Sequence, residues 1–210
     1  MTISITTNLD NITLNVDGYK PSHYMQYPPN TDFVYAYVEA RGGRFDESLV
    51  FGFQSFLKEY IYNPISQTDI EESATLLPLM GLPFNRAGWE YILAEHEGFL
   101  PLEIKAVPEG LVIPERNILS DIVNTDPECE WLPGYIETMF LRCAWYMSTV
   151  ATLSYKCKEI IKAAMLKSCD SLDGLAYKLH DFGSRGATSK ESSILGGLAH
   201  LVNFCGTDTI

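Results

Sequence analysis

The sequence predicts an α/β protein, with an α+β N-terminal region over residues 1–170 followed at 171–210 by the first β-α-β unit of an α/β barrel that the chain does not complete. Three observations carry this reading. Between residues 102 and 123, short β-rich segments are joined by connections so brief that antiparallel neighbours are expected. Residues 131–168 then carry apolar side chains at helical spacing, the mark of one or two long helices. Finally, Lys178-Leu179-His180-Asp181-Phe182-Gly183-Ser184-Arg185-Gly186-Ala187-Thr188-Ser189-Lys190-Glu191 runs into an apolar-periodic stretch and Gly206-Thr207-Asp208. That order reads as strand, loop, helix and strand, a unit whose natural geometry is parallel and right-handed.

Taken in order, residues 11–16 read as a short extended segment closed by an Asp17-Gly18 turn. Pro21 opens a helix-compatible stretch to Tyr27, and Pro28-Pro29 stops it. Val34, Tyr35, Tyr37 and Val38 make residues 33–40 a strand, followed by a loop at 41–44. Residues 49–62 begin extended and become an amphipathic helix through Phe53, Phe56, Leu57 and Tyr60. Helices are expected from Thr68 to Met80 and over 88–96, the second anchored by Trp89, Tyr91, Ile92 and Leu93. Strands follow at 102–107, 111–113 and 117–123. Along 131–168 the buried stripe is Ile136, Met139, Phe140, Met147 and Val150. In the last unit the strands are 177–182 and 202–204. Thr188 and Glu191 have capping-box spacing, and Ile194, Leu195, Leu198, Leu201 and Val202 form the apolar face of the helix between them.

Composition narrows the function classes. A 46% hydrophobic content in 210 residues is enough for a core. The formal net charge of −12 argues against nucleic acid or an anionic membrane surface as the main partner, which would be met by a basic face. Cys129, Cys143, Cys157, Cys169 and Cys205 are odd in number and contain no Cys-x-x-Cys pair, which suits buried free thiols in a reducing, cytoplasmic setting. His23, His96, His180 and His200 lack metal-ligand spacing and read as structural. Residues 1–10 lack the basic and apolar regions of a signal peptide, and the apolar stretch at 139–153 is broken by Arg142, so it reads as a buried helix and not a membrane span.

Phe182, Arg185 and Asp208 fall just past the two strands of the last unit, on the face where such units bind ligands. A guanidinium near a helix N-terminus suits phosphate, an aromatic ring suits a flat apolar group, and a carboxylate accepts hydrogen bonds. Spacing alone favours a plainer reading, with Phe182 in the core, Arg185 on the surface and Asp208 capping a further helix. Asp181-Phe182-Gly183 is not kinase-like, because no Gly-x-Gly-x-x-Gly loop and no His-Arg-Asp loop accompany it.

Five blocks in order carry a resemblance: Asp17-Gly18-Tyr19-Lys20 with His23-Tyr24 and Gln26-Tyr27-Pro28-Pro29-Asn30-Thr31; Ile104-Lys105-Ala106-Val107-Pro108-Glu109-Gly110; Asn124-Thr125-Asp126-Pro127-Glu128; Lys178 to Gly186; and His200 to Thr209. They resemble the N-terminal half of the nicotinamide phosphoribosyltransferases, type II phosphoribosyltransferases. The resemblance implies an enzyme of NAD salvage that makes nicotinamide mononucleotide and diphosphate from nicotinamide and phosphoribosyl pyrophosphate. It also implies Mg2+ carried with the phosphoribosyl pyrophosphate, and a homodimer with shared active sites. By the same resemblance the pyridine ring lies between Phe182 of one subunit and Tyr19 of the other. Asp208 binds the carboxamide, Arg185 contacts the diphosphate, and Asp17 and Arg41 line the site at the dimer interface. Arg185 and Asp208 are the catalytic candidates.

Those residue types suit the chemistry. Stacking holds a flat ring without using the nitrogen lone pair that attacks the sugar carbon. An Asp208 acceptor matches a carboxamide NH2 and repels a carboxylate. Gly18, Ser184 and Cys205 depart from the residues common in the family, without removing any group named above. The chain is expected to end before the family's ribose-phosphate contacts and its phosphorylatable histidine. Three readings follow: part of a split or longer enzyme that needs a C-terminal partner chain, a non-catalytic nicotinamide-binding or dimerisation module, or a truncated sequence of an ordinary enzyme.

Overall fold

The computed structural model describes residues 10–209; residues 1–9, where no signal peptide is expected, lie outside the described residues. The chain forms two compact units, each assembled from separated segments. Among the described residues the first contains 10–38, 54–106 and 120–141, and the second contains 39–53, 107–119 and 142–209.

Strands are Tyr35–Glu39 (β1), Glu47–Leu49 (β2), Leu102–Ala106 (β3), Val112–Pro114 (β4) and Ile118–Asn124 (β5). Helices are Phe53–Phe56 (α1), Gln67–Leu79 (α2), Arg86–Glu95 (α3), Leu132–Tyr135 (α4), Glu137–Ser168 (α5) and Lys190–Leu201 (α6). This mixture of strand and helix is the α/β class expected. No helix among the described residues is long and apolar enough to cross a membrane.

In the first unit the sheet order is β1-β5-β3, and β3 pairs antiparallel with β5, Ile104 opposite Ile122. Asn124 fixes where β1 begins: its side chain accepts from the Val34 amide at 2.8 Å and donates to the Asp32 carbonyl at 2.8 Å. The helices close over an aromatic cluster in which the fully buried Trp89 meets Trp131 and Tyr135 edge-on, with centroids 4.9 and 5.2 Å away. Residues 11–16 are not extended as their sequence suggests. The Asn11 carboxamide accepts from both the Thr13 amide (3.0 Å) and the Thr13 hydroxyl (2.6 Å), an Asx turn that outcompetes strand pairing. Asn11 then donates to the Asp69 carbonyl of α2, and the Tyr135 hydroxyl donates to the Thr13 carbonyl at 2.7 Å.

Asp126 closes the same unit between β5 and α4. Its carboxylate accepts from the Glu128 amide at 2.9 Å and also bonds His96 and Tyr91, which together hold its pKa below the ordinary carboxylate value despite partial burial. A depressed folded pKa means stability that is fully present above the unfolded value, about 3.9, and is lost as pH falls through the folded one. The unfolding free-energy gap between wild type and Asp126→Asn is therefore expected to be constant near neutrality and to shrink below about pH 4. Urea melts across pH 3 to 7 read it directly, and a gap that widens in acid would contradict the assignment.

In the second unit β2 and β4 pair antiparallel, Leu49 opposite Val112. The Leu49 amide donates to the Thr152 hydroxyl of α5 at 2.8 Å, and the Phe51 amide donates to the Ser148 hydroxyl at 3.1 Å, so the strand is bonded side-on to the helix. Gly52 (φ 118°) permits this closeness, because a Cβ there would lie 2.9 Å from the Cys143 carbonyl oxygen and 3.0 Å from Met147 Cβ. Leu49, Met147, Ala151 and Ala199 form the core between strand, α5 and α6. Val150 of the expected stripe is only half-buried, and of the five free cysteines Cys169 and Cys205 are exposed and not buried.

The last unit departs most from expectation. Residues 175–177 form a 3-10 turn whose Tyr177 is exposed, and α6 runs through Leu201 into a turn, so neither full strand forms. Asn203 explains the second loss: it is buried and donates to the Ala151 carbonyl of α5 at 3.0 Å, which a strand geometry would break. The pairing that forms is one bridge between Asp181, in the first expected strand, and Thr207, beyond the expected second one, and it is parallel as expected. The capping box sits one residue later than Thr188 and Glu191: Ser189 accepts from the Ser192 amide and Ser192 accepts from the Ser189 amide, both at 3.0 Å.

Candidate active site

The Asp181-Thr207 bridge places the candidate residues. The Asp181 amide donates to the Gly206 carbonyl at 3.0 Å, and the Asp208 amide donates to the Asp181 carbonyl at 2.9 Å. Residues 180 and 182 on one segment and 206 and 208 on the other therefore share one face, by the two-residue alternation of extended chain. His180 and Phe182 meet with ring centroids 4.6 Å apart and planes tilted by 47°. His180 Nε2 lies 3.1 Å from Asp208 Oδ1. Phe182 is 69% exposed, so it is not a core residue as spacing alone favours; its ring is open to a ligand.

The opposite face of the bridge is used for structure. Partial burial works against the Asp181 carboxylate, but donation from the Thr207 hydroxyl (2.7 Å) and the Gly183 amide (2.8 Å), aided by the nearby His200 and His180 rings, holds its pKa below the ordinary value. His200 is buried, bonded through Nδ1 to the Ser154 hydroxyl at 2.8 Å and stacked on Phe204 at 5.1 Å. It packs the site from beneath.

Arg185 lies in the 3-10 turn Ser184–Gly186, exposed and in no ion pair among the described residues. The Ser193 hydroxyl of α6 donates to the Ser184 hydroxyl at 3.0 Å, which ties that turn to the first turns of α6. The guanidinium is thus carried beside a helix N-terminus with its donors unspent, an arrangement suited to an anionic oxygen cluster.

The remaining candidates stand on other segments. Tyr19, 58% exposed, precedes the 3-10 helix Lys20–Met25 and leans on His23 at 5.4 Å. Asp17 is not free to turn at will: its amide donates to the Thr138 hydroxyl at 3.1 Å, and that hydroxyl donates to its carboxylate at 2.7 Å. The buried Lys20 pairs with Glu137, so the segment around Tyr19 is pinned to the start of α5. Arg41, exposed in the loop after β1, makes no ion pair among the described residues. Phe182 and Asp208 share one face, and Arg185 and Arg41 belong with them to the second unit. Asp17 and Tyr19 belong to the first unit.

His180 is the residue that sequence reasoning missed. It lacks metal-ligand spacing and reads as structural, yet it joins Phe182 to Asp208. The signal was the alternation itself: position 180 shares a face with 182, and Gly206 opposite leaves room for a ring.

Comparison with known proteins finds similarity along most of the chain. Residues 11–104 match the family model described as nicotinamide phosphoribosyltransferase, N-terminal domain, and residues 177–210 match that of the nicotinate phosphoribosyltransferase family. The nicotinamide phosphoribosyltransferase of Xanthomonas campestris pv. campestris is 50% identical over 203 residues, covering 96% of this chain and 43% of the relative. That of Acinetobacter baylyi is 32% identical over 93% of this chain and 42% of the relative. The crystal structure of human nicotinic acid phosphoribosyltransferase superposes with a TM-score of 0.60 at 18% identity, over 97% of this chain and 36% of that one, a likeness of fold. The chain thus spans less than half the length of these relatives. Two family models in order along the chain, with half-identical sequence over nearly all of it, make the chain similar along nearly its whole length to part of the nicotinamide phosphoribosyltransferases.

Proposed function

We propose that this chain supplies the base site of a nicotinamide phosphoribosyltransferase, which transfers phosphoribosyl from phosphoribosyl pyrophosphate to nicotinamide in pyridine nucleotide salvage. The observation that carries the proposal is the exposed Phe182 ring and the Asp208 carboxylate, both against His180 on one face, with Arg185, in no ion pair among the described residues, in the turn that follows Phe182. Phe182 holds the pyridine ring by its face. Asp208 accepts from the carboxamide NH2, and a nicotinate carboxylate would meet it as a like charge. The ring nitrogen attacks C1′ as the bond from C1′ to the diphosphate oxygen breaks, and the diphosphate leaves with the bonding pair. No base is needed, since the attacking nitrogen carries no proton. Arg185 stabilises the charge that develops on the leaving oxygens, and the other residues act by positioning.

Among the described residues no cluster of three or more His, Cys, Asp or Glu side chains is placed to hold a metal. Magnesium is proposed to arrive with phosphoribosyl pyrophosphate, as the resemblance implies, where it would neutralise phosphate charge. Residues 171–210 are assigned to the start of the barrel, to be completed by a C-terminal portion or partner chain. A cytoplasmic homodimer is the proposed assembly, in which Tyr19, Asp17 and Arg41 reach the partner's site. The exposed Tyr19, Met25, Tyr35 and Tyr37 support it, as apolar surface suited to a second copy.

The test is mass-spectrometric detection of nicotinamide mononucleotide from nicotinamide, phosphoribosyl pyrophosphate and magnesium, with the chain alone and with a C-terminal half from the family added. Product with the added half supports the proposal; no product in either mixture, from folded protein, refutes it. Sharing of sites gives a separate expectation. Tyr19→Ala and Phe182→Ala homodimers should both be impaired, while their mixed dimer regains one intact site and up to about half of its activity. Activity assays on mixtures of the two variants decide this, and absence of rescue would place Tyr19 outside the partner's site.

A further inference from the structure

We infer that His180 is a positioning residue for base recognition, fixing the Asp208 carboxylate and backing the Phe182 ring. The inference rests on the reading of this face as a pyridine-base site. An ionised carboxylate only accepts, so at 3.1 Å His180 Nε2 must be the protonated nitrogen and must donate to Asp208 Oδ1. One carboxylate oxygen is thereby occupied and its plane set, which leaves Oδ2 as the acceptor for a ligand NH2.

The ring is itself held. A Cβ built on Gly206 would fall on His180 Nδ1 and within 3.1 Å of Cγ, so the imidazole occupies the volume that any other residue at 206 would fill. Phe182 covers the ring from the other direction at 4.6 Å. With side-chain exposures of 42% and 38%, the His180-Asp208 pair adds little to stability, and its worth is geometric. A purely structural histidine would instead look like His200, buried and bonded to Ser154.

Two measurements on the full chain separate this inference from the reading beneath it. Long-range proton-nitrogen NMR of the His180 ring, without ligand, is expected to show the Nε2-protonated tautomer in wild type and a mixture in Asp208→Ala. A ring protonated on Nδ1, or one unaffected by Asp208→Ala, overturns the inference whatever the site binds. Calorimetric titration of the chain completed with the family C-terminal half then uses nicotinamide as the probe. His180→Ala is expected to weaken nicotinamide binding about 10-fold or more, while His180→Gln, whose Nε2 can donate from nearly the same place, stays within about 3-fold of wild type. Phosphoribosyl pyrophosphate affinity should be unchanged in both. Equal loss in Ala and Gln variants, or none in either, overturns the inference. Failure of wild type to bind nicotinamide would instead refute the base-site reading.

Discussion

Asp208→Asn is expected to lower the preference for nicotinamide over nicotinate, as a ratio of kcat/KM, by on the order of 10- to 100-fold in the completed enzyme. Most of the change should come from nicotinate. On the proposed reading its carboxylate would meet the Asp208 carboxylate in wild type, where His180 already occupies one oxygen of that group at 3.1 Å. The asparagine keeps an oxygen that can accept from a carboxamide, gains an NH2 that can donate to a carboxylate, and loses the charge. A tenfold shift corresponds to about 1.4 kcal/mol, within the range for one partly exposed charge contact. The measurement is a pair of kcat/KM values for wild type and variant, and an unchanged ratio would remove Asp208 from base selection.

The largest stability effect is expected at Gly98, in the first unit. Gly98 has φ 84°, a region that costs an ordinary residue about 1–2 kcal/mol. A Cβ there would also overlap the Ile65 carbonyl oxygen and lie 3.2 Å from Ile65 N and from Pro64 Cβ. The Ile65 amide donates to the Gly98 carbonyl at 2.9 Å and Ile65 is buried, so the two segments cannot separate without losing a hydrogen bond and core contact. With an overpacking cost of about 1–3 kcal/mol added, Gly98→Ala should destabilise the chain by about 2–5 kcal/mol. Gly110→Ala is the matched control. Its φ is 89° but nothing lies within 4 Å of a Cβ there, so only the conformational cost of about 1–2 kcal/mol applies. Denaturant melts of both variants separate strain from overlap, and equal losses would mean that the Ile65 contact carries no weight.

Regular elements were legible in the sequence wherever periodicity was decided by burial. The alternation at 102–106 became β3, and the stripe through Ile136, Met139, Phe140 and Met147 became the buried face of α5 with the turn before it. Side-chain hydrogen bonds to backbone were not legible, because local turns and distant partners compete with regular pairing in ways the periodicity does not show. Asn11 turns a segment that reads as extended, and Asn203, bonded to Ala151, turns a segment that reads as a strand. The candidate site divides the same way. Phe182, Arg185 and Asp208 stand out by their places after the expected strands, although spacing alone favours a plainer reading and their roles come from the resemblance, whereas His180 emerges only when the parallel bridge sets residues 180 and 208 side by side.

The most direct measurement is a competition: equal nicotinamide and nicotinate offered with limiting phosphoribosyl pyrophosphate and magnesium to the chain completed by a family C-terminal half, with both mononucleotides quantified by mass spectrometry. The family models along this chain point to both bases, nicotinamide for residues 11–104 and nicotinate for 177–210. The Asp208 carboxylate, held by His180, predicts a large excess of nicotinamide mononucleotide. Equal amounts, or an excess of the nicotinate product, would contradict the account.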